Sequence, residues 1–82
     1  MYRVVDDDQA QEQVAALPVE ALSAYAEART LLEVAPWSGD PYHRENPDGP
    51  IRTLPFGSSG AVVYLILEHQ REVHVLLVPW IG

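Results

Sequence analysis

The stretch from Ile51 to Trp80 constrains the fold more than any other part of the chain. Two long apolar runs, Ala61 to Leu67 and Val73 to Val78, flank the polar segment Glu68-His69-Gln70-Arg71-Glu72. A shorter run, Ile51 to Phe56, precedes them through Gly57-Ser58-Ser59-Gly60. Apolar runs of this length between turn formers read as strands, and connections this short make neighbouring strands antiparallel. The segment therefore predicts a three-stranded antiparallel meander. The two-residue period puts Arg52, Leu54 and Phe56 on one face, and Pro55 puts that strand near a sheet edge or at its own end. Ala61 to Glu68 and Val73 to Val78 are apolar on both faces, with His74 the only polar residue of the latter run. Such strands need cover on both sides. An apolar face left open predicts a protein partner or self-association.

The first part of the chain supplies the cover for one side. Tyr2-Arg3-Val4-Val5 reads as a short strand, and Asp6, Asp7 and Asp8 provide a helix start, one as cap and the others favouring the positive helix terminus. A first helix to about Ala16 aligns Ala10, Val14 and Leu17 on one stripe. Leu17-Pro18 breaks it, because proline disfavours helical geometry in the residue before it and fits the first turn of the helix that follows. The second helix extends from about Val19 to Ala35, with Ala21, Ala24, Ala28, Leu31 and Ala35 on one face, flanked by Leu22, Tyr25 and Leu32. The short break predicts an antiparallel helical hairpin lying on the sheet. From Pro36 to Pro50 turn formers dominate, and four prolines argue against regular structure. A loop of this length in a small domain is commonly functional. It carries Trp37, Tyr42, His43 and Arg44, and the expectation is that Trp37 and Tyr42 pin it across the end of the sheet.

Composition narrows the function. The 82 residues make one domain, spanning residues 1–82, with no cysteine and hence no disulfide or thiolate metal site. No run approaches the ~20 apolar residues of a membrane span, and the N-terminus does not read as a signal peptide, so the expectation is a soluble, cytoplasmic protein without cofactor. Twelve acidic side chains face five arginines, and lysine is absent, for a formal net charge of −7. Nucleic-acid affinity comes largely from neutralising phosphates with Lys and Arg. A general nucleic-acid binder is therefore disfavoured unless the arginines converge on one face. A basic partner suits the charge.

A strand, two helices and a three-stranded meander, in that order, resemble the RelE/ParE superfamily of bacterial toxins from type II toxin–antitoxin modules. The resemblance spans nearly the whole chain. Tyr2-Arg3-Val4-Val5 is similar to the family's first strand, Leu17-Pro18 to the break between its helices, and Ile51-Arg52-Thr53-Leu54-Pro55-Phe56-Gly57 to its arginine-bearing second strand. Val62-Val63-Tyr64, a charged hairpin and Val73-His74-Val75-Leu76 resemble its last two strands. The resemblance implies an α+β fold, a cognate antitoxin that covers the apolar and functional surface, and, for the ribonuclease branch, a ribosome-bound messenger RNA cut by 2′-hydroxyl attack. It also implies two alternatives: a gyrase-directed toxin of the ParE branch, and a non-catalytic acidic relative that uses the sheet for a protein contact or a homodimer.

RNA cleavage needs cations for the phosphate and an acid/base group at the 2′- and 5′-oxygens. Arg52 matches the family's second-strand arginine. The third-strand arginine falls on Ala61, and the C-terminal basic or aromatic position falls on or near Trp80, whose indole transfers no proton. The catalytic candidates are accordingly Arg52 and His74, with Arg44, His43, Tyr64 and Trp80 as neighbours in substrate or partner binding. Arg52→Ala is expected to abolish toxicity with the fold intact. His69 reads as a solvated turn residue, the three histidines have no metal-ligand spacing, and Gly57 to Gly60 read as a hairpin connection.

Overall fold

The computed structural model describes residues 1–81. In chain order the elements are β1 (Arg3–Asp6), α1 (Asp8–Ala15), α2 (Val19–Val34), β2 (Asp40–Pro41), β3 (Ile51–Phe56), β4 (Gly60–Leu67) and β5 (Glu72–Leu77). The expected β3–β4–β5 meander forms, and it is the centre of a larger sheet of order β1-β5-β4-β3-β2. β1 adds parallel to β5, with Val4 beside Val73 and Val5 beside His74. A parallel neighbour needs a long crossover, and the two helices with the first part of the meander supply it.

Both helices lie over one face of this mixed sheet. The alternation of the strands sends Phe56, Val62, Tyr64, Ile66, Val73 and Val75 into a single core with Ala10, Leu17, Ala21, Tyr25, Ala28 and Leu32. Each fully buried aliphatic side chain contributes about 1.5–3 kcal/mol relative to exposure. The buried stripe of α2 is Ala21, Tyr25, Ala28 and Leu32, turned slightly from the Ala24–Leu31 line expected from its small residues. The larger Tyr25 and Leu32 fill the space over the sheet, while Leu22 is 42% exposed. At the far end Tyr25 meets Phe56 edge-on at 5.5 Å, and Phe56 stacks on Trp80 at 5.7 Å.

Several local expectations are corrected. Asp7 holds the N-cap position of α1 in extended geometry but makes no side-chain cap bond. Asp6 instead accepts from Arg29 at 2.5 Å. Pro18 is the N-cap residue of α2, with Val19 the first helical residue. The proline-rich loop is not wholly irregular: Pro36–Ser38 form a 3-10 turn, and Asp40–Pro41 pair with β3 as β2. Proline is compatible with the first position of such a turn and with an edge strand, where its missing N–H is not needed. β5 begins at Glu72, one residue inside the segment that reads as turn. The left-handed backbone of Arg71 (φ 54°) closes that hairpin, and Gly57 (φ 60°) serves the other.

The second sheet face carries no helix. Val5, Ile51, Leu65, Leu67 and Leu77 alternate away from the core cluster and are part-buried, and Val63, on the same face, is only 6% exposed. A register shift between Val63 and Tyr64 leaves Leu76 unpaired, after which Leu77 sits beside Val63 and Val78 returns to the core. The sheet edges, by contrast, are blunted. On β1 the Tyr2 N–H donates to the Glu33 carbonyl and the Val4 carbonyl accepts from Arg29. The other edge is two residues long and ends in proline. Blunted edges suppress strand-to-strand association, so the open face is the remaining apolar surface of the sheet.

Candidate functional site

The residues singled out in the sequence fall into separate places. Arg52 stands beside Tyr64, and Tyr64 beside Val75, so all three occupy the helix-covered face. His74 stands between Val5 and Leu65 on the open face. The sheet itself therefore separates Arg52 from His74.

Arg52 is 9% exposed, and Nε and Nη1 of its guanidinium are engaged by the loop. Nε donates to the Gly39 carbonyl at 3.0 Å, and Nη1 donates to the carbonyls of Pro47 and Gly49 at 3.2 and 3.1 Å. Trp37 lies under its plane, 5.4 Å from ring centre to guanidinium carbon. Tyr64, fully buried, donates from its hydroxyl to the Pro36 carbonyl at 2.6 Å. Burial pushes the Tyr64 phenol above its ordinary range. These two side chains shape the 36–50 loop. The loop is indeed pinned by Trp37, whose indole N–H also donates to Glu68 at 2.8 Å. Tyr42 is half exposed and touches His43 edge-on at 5.1 Å instead. His43 and Arg44 are exposed in the loop, with His43 3.7 Å from Glu45. Trp80 belongs to the aromatic stack on the core side.

Around Glu68 a second cluster forms. Its carboxylate accepts from Tyr2 at 2.6 Å, from Trp37 and from Arg71, while Arg71 lies over the Tyr2 ring at 4.3 Å. The Tyr2 and Trp37 donors, with Arg71, hold the Glu68 carboxyl below its usual range.

The open face has its own polar group, which the sequence did not disclose. Glu72 accepts from His74 Nε2 at 2.9 Å through one oxygen and from Arg3 through the other. Arg3 first, then His74, lowers the Glu72 carboxyl below its ordinary range. Arg3 and Glu72 stand side by side across β1 and β5, and Glu72 and His74 are two residues apart on one strand face. The missed signal was the spacing Glu72-x-His74, hidden because Glu72 reads as part of the turn.

Among the described residues no three His, Asp or Glu side chains converge as a metal site requires, and no helix is long and apolar enough to cross a membrane. Charge is unevenly distributed. Between Asp6 and Glu33 seven acidic side chains face Arg29 alone, a net −6 of the total −7. The helix layer thus carries nearly all the excess negative charge, and the sheet and its loops are close to neutral.

Solved structures share this architecture from end to end. A chain of the Escherichia coli RelBE toxin–antitoxin complex superposes with a TM-score of 0.81 at 14% identity, covering 100% of this chain and 99% of that one. A chain of the Mycobacterium tuberculosis RelBE2 toxin–antitoxin complex gives 0.81 at 26% identity, over 98% of each. This chain has the RelE/ParE fold. The archaeal RelE–RelB complex from Pyrococcus horikoshii is similar at a TM-score of 0.64 and 18% identity, over 99% of this chain and 96% of that one. No protein-family model matches the sequence, and no curated protein matches it. Arg52, on the first strand of the meander, is a loop anchor on the helix side.

Proposed function

We propose that this RelE-like chain is the toxin component of a toxin–antitoxin pair, that a RelB-type antitoxin covers its open sheet face, and that its target is ribosome-bound messenger RNA. The observation that carries the reading is the end-to-end superposition on chains of RelBE complexes, with 26% identity over 98% of both chains in one of them. The apolar face without helix cover, between blunted sheet edges, supports it, since such a face suits a protein partner. The uneven charge removes the main objection to an RNA target. Long-range repulsion comes from the helix layer, and an anionic ligand approaching the sheet side meets Arg3, His74 and Glu72 rather than the acidic helices.

The test is induction of the chain in a bacterial host, alone and together with a RelB-type antitoxin. Translation should collapse when it is alone, with new messenger ends at codon boundaries, and should be spared by the antitoxin. Collapse of DNA replication with translation intact would redirect the toxin reading to gyrase.

A second reading has its own support. Arg3, Arg29, Arg52 and Arg71 all donate to intramolecular acceptors, which leaves Arg44 as the fifth and exposed arginine. A chain with so few available cations suits a non-catalytic binding module. A folded protein that binds the antitoxin and leaves translation untouched would establish it.

A further inference from the structure

The geometry points to Glu72, His74 and Arg3 as a general-base site for RNA phosphodiester cleavage on the open sheet face, with His74 the base, Glu72 its positioning residue and Arg3 the phosphate ligand. This rests on the RNA-directed reading above and replaces Arg52, which the loop carbonyls occupy, by groups on the accessible side of the sheet.

Three features argue for it. An ionised carboxylate only accepts hydrogen bonds, and the Glu72 carboxyl is held in its ionised form by Arg3 and His74. The imidazole nitrogen 2.9 Å from it, Nε2, must therefore carry the hydrogen. That fixes the neutral tautomer and leaves the Nδ1 lone pair, which has no partner among the described residues, to take a proton. The flanking positions across the sheet, Val5 and Leu65, are apolar and bring no competing ionisable group to the ring. Among the described residues Arg3 is the only other charged side chain facing the pair from the neighbouring strands, and its side chain is 73% exposed. It can swing from Glu72 to a phosphate oxygen without leaving the face. A surface ion pair of this kind contributes little to stability, ~0–1 kcal/mol, so its members are free for chemistry.

The step is a transesterification. His74 Nδ1 removes the proton from a ribose 2′-hydroxyl as the 2′-oxygen bonds to phosphorus, and the bond from phosphorus to the 5′-oxygen breaks. The departing 5′-oxygen takes a proton from water, and the imidazolium later returns its proton to solvent. The products are a 2′,3′-cyclic phosphate and a 5′-hydroxyl. Arg3 stabilises the charge that builds on the non-bridging oxygens, and the Glu72 carboxylate holds the ring and stabilises the imidazolium.

The experiment uses the full chain in a reconstituted translation system, with single-turnover cleavage of messenger on stalled ribosomes read by primer extension. Thermal melts are recorded for each variant. His74→Gln is expected to lose about 100-fold or more of the maximal rate, the scale of general-base catalysis, with an unchanged melt. Glu72→Gln should lower the maximal rate with ribosome affinity retained, and Arg3→Gln should also reduce it. His74→Ala should recover part of its activity when imidazole is added, which a purely structural role would not allow. Wild-type cleavage matched by His74→Gln or by Glu72→Gln would overturn the assignment and leave the RNA-directed reading standing. A wild-type chain that leaves messenger intact on stalled ribosomes would overturn both.

Discussion

Arg52 and Tyr64 stand directly opposite each other on β3 and β4, and both give their polar hydrogens to carbonyls of the same loop. The guanidinium gathers Gly39, Pro47 and Gly49, and the phenol takes Pro36. Fifteen residues rich in proline are held over the sheet by these two side chains. Buried carbonyls without donors are expensive, so the pair satisfies backbone that has no ladder of its own.

Arg52→Ala is accordingly expected to destabilise the fold rather than leave it intact, correcting the sequence expectation. Three carbonyls lose a charged donor, and hydrogen bonds to charged groups contribute about 1.5–3 kcal/mol each before water replaces part of the loss. A net loss of about 2–4 kcal/mol is expected in urea unfolding. Arg52→Lys should recover only a fraction, because an ammonium lacks the planar fork. A loss below 1 kcal/mol for Arg52→Ala would contradict the anchor role.

Gly39 lies against the Tyr64 ring end. A Cβ there would overlap the Tyr64 hydroxyl and sit 2.8 Å from the Thr53 carbonyl. Gly39→Ala should cost about 1–3 kcal/mol by overpacking, and Tyr64→Phe combined with it should recover part of that loss. An additive double variant would show that the clash lies elsewhere.

The pH dependence has two signs. Burial raises the phenols of Tyr25 and Tyr64 above 10.0 in the folded protein, so the folded state holds their protons more tightly. Their contribution is complete below pH 10.0 and is lost as pH rises through the folded values. Glu68, held down by Tyr2 and Trp37, and Glu72, held down by Arg3 and His74, act oppositely. Their contribution is present above 4.5 and lost as pH falls through the folded values. Denaturation midpoints should therefore fall at both extremes, and Tyr64→Phe should flatten the alkaline limb. An unaltered alkaline limb in Tyr64→Phe would assign that loss to other groups.

Leu65, at the centre of the open face, offers a direct handle on partner binding. Because it lies outside the core cluster but is part-buried on the central strand, Leu65→Asp should cost about 1–2 kcal/mol, less than a core substitution. A buried aspartate in a covered interface should weaken antitoxin binding by at least about 10-fold, or 1.4 kcal/mol. Calorimetric titration of the variant with a RelB-type antitoxin reads this, and wild-type affinity would move the antitoxin off this face.

The chain order of the longer elements, though not the two-residue β2, was legible because it is written in local patterns. The apolar runs gave β3, β4 and β5 within a residue of their ends, Leu17-Pro18 placed the helix break, and Ala10, the partly buried Val14 and, just past α1, Leu17 marked the side that faces the core. The open apolar face was also legible, since both faces of β4 and β5 are apolar and two short helices can cover only one. The parallel docking of β1, the pairing of Glu72 with Arg3 and His74, and the fate of Arg52 were not. They depend on which residues stand side by side across strands distant in sequence, a matter of register and long-range closure. Sequence alone therefore determined the longer elements and that the helices leave one apolar sheet face without helix cover. Only the tertiary structure decided which face each charged side chain occupies, because the two-residue period fixes alternation along a strand but not which side the helices cover.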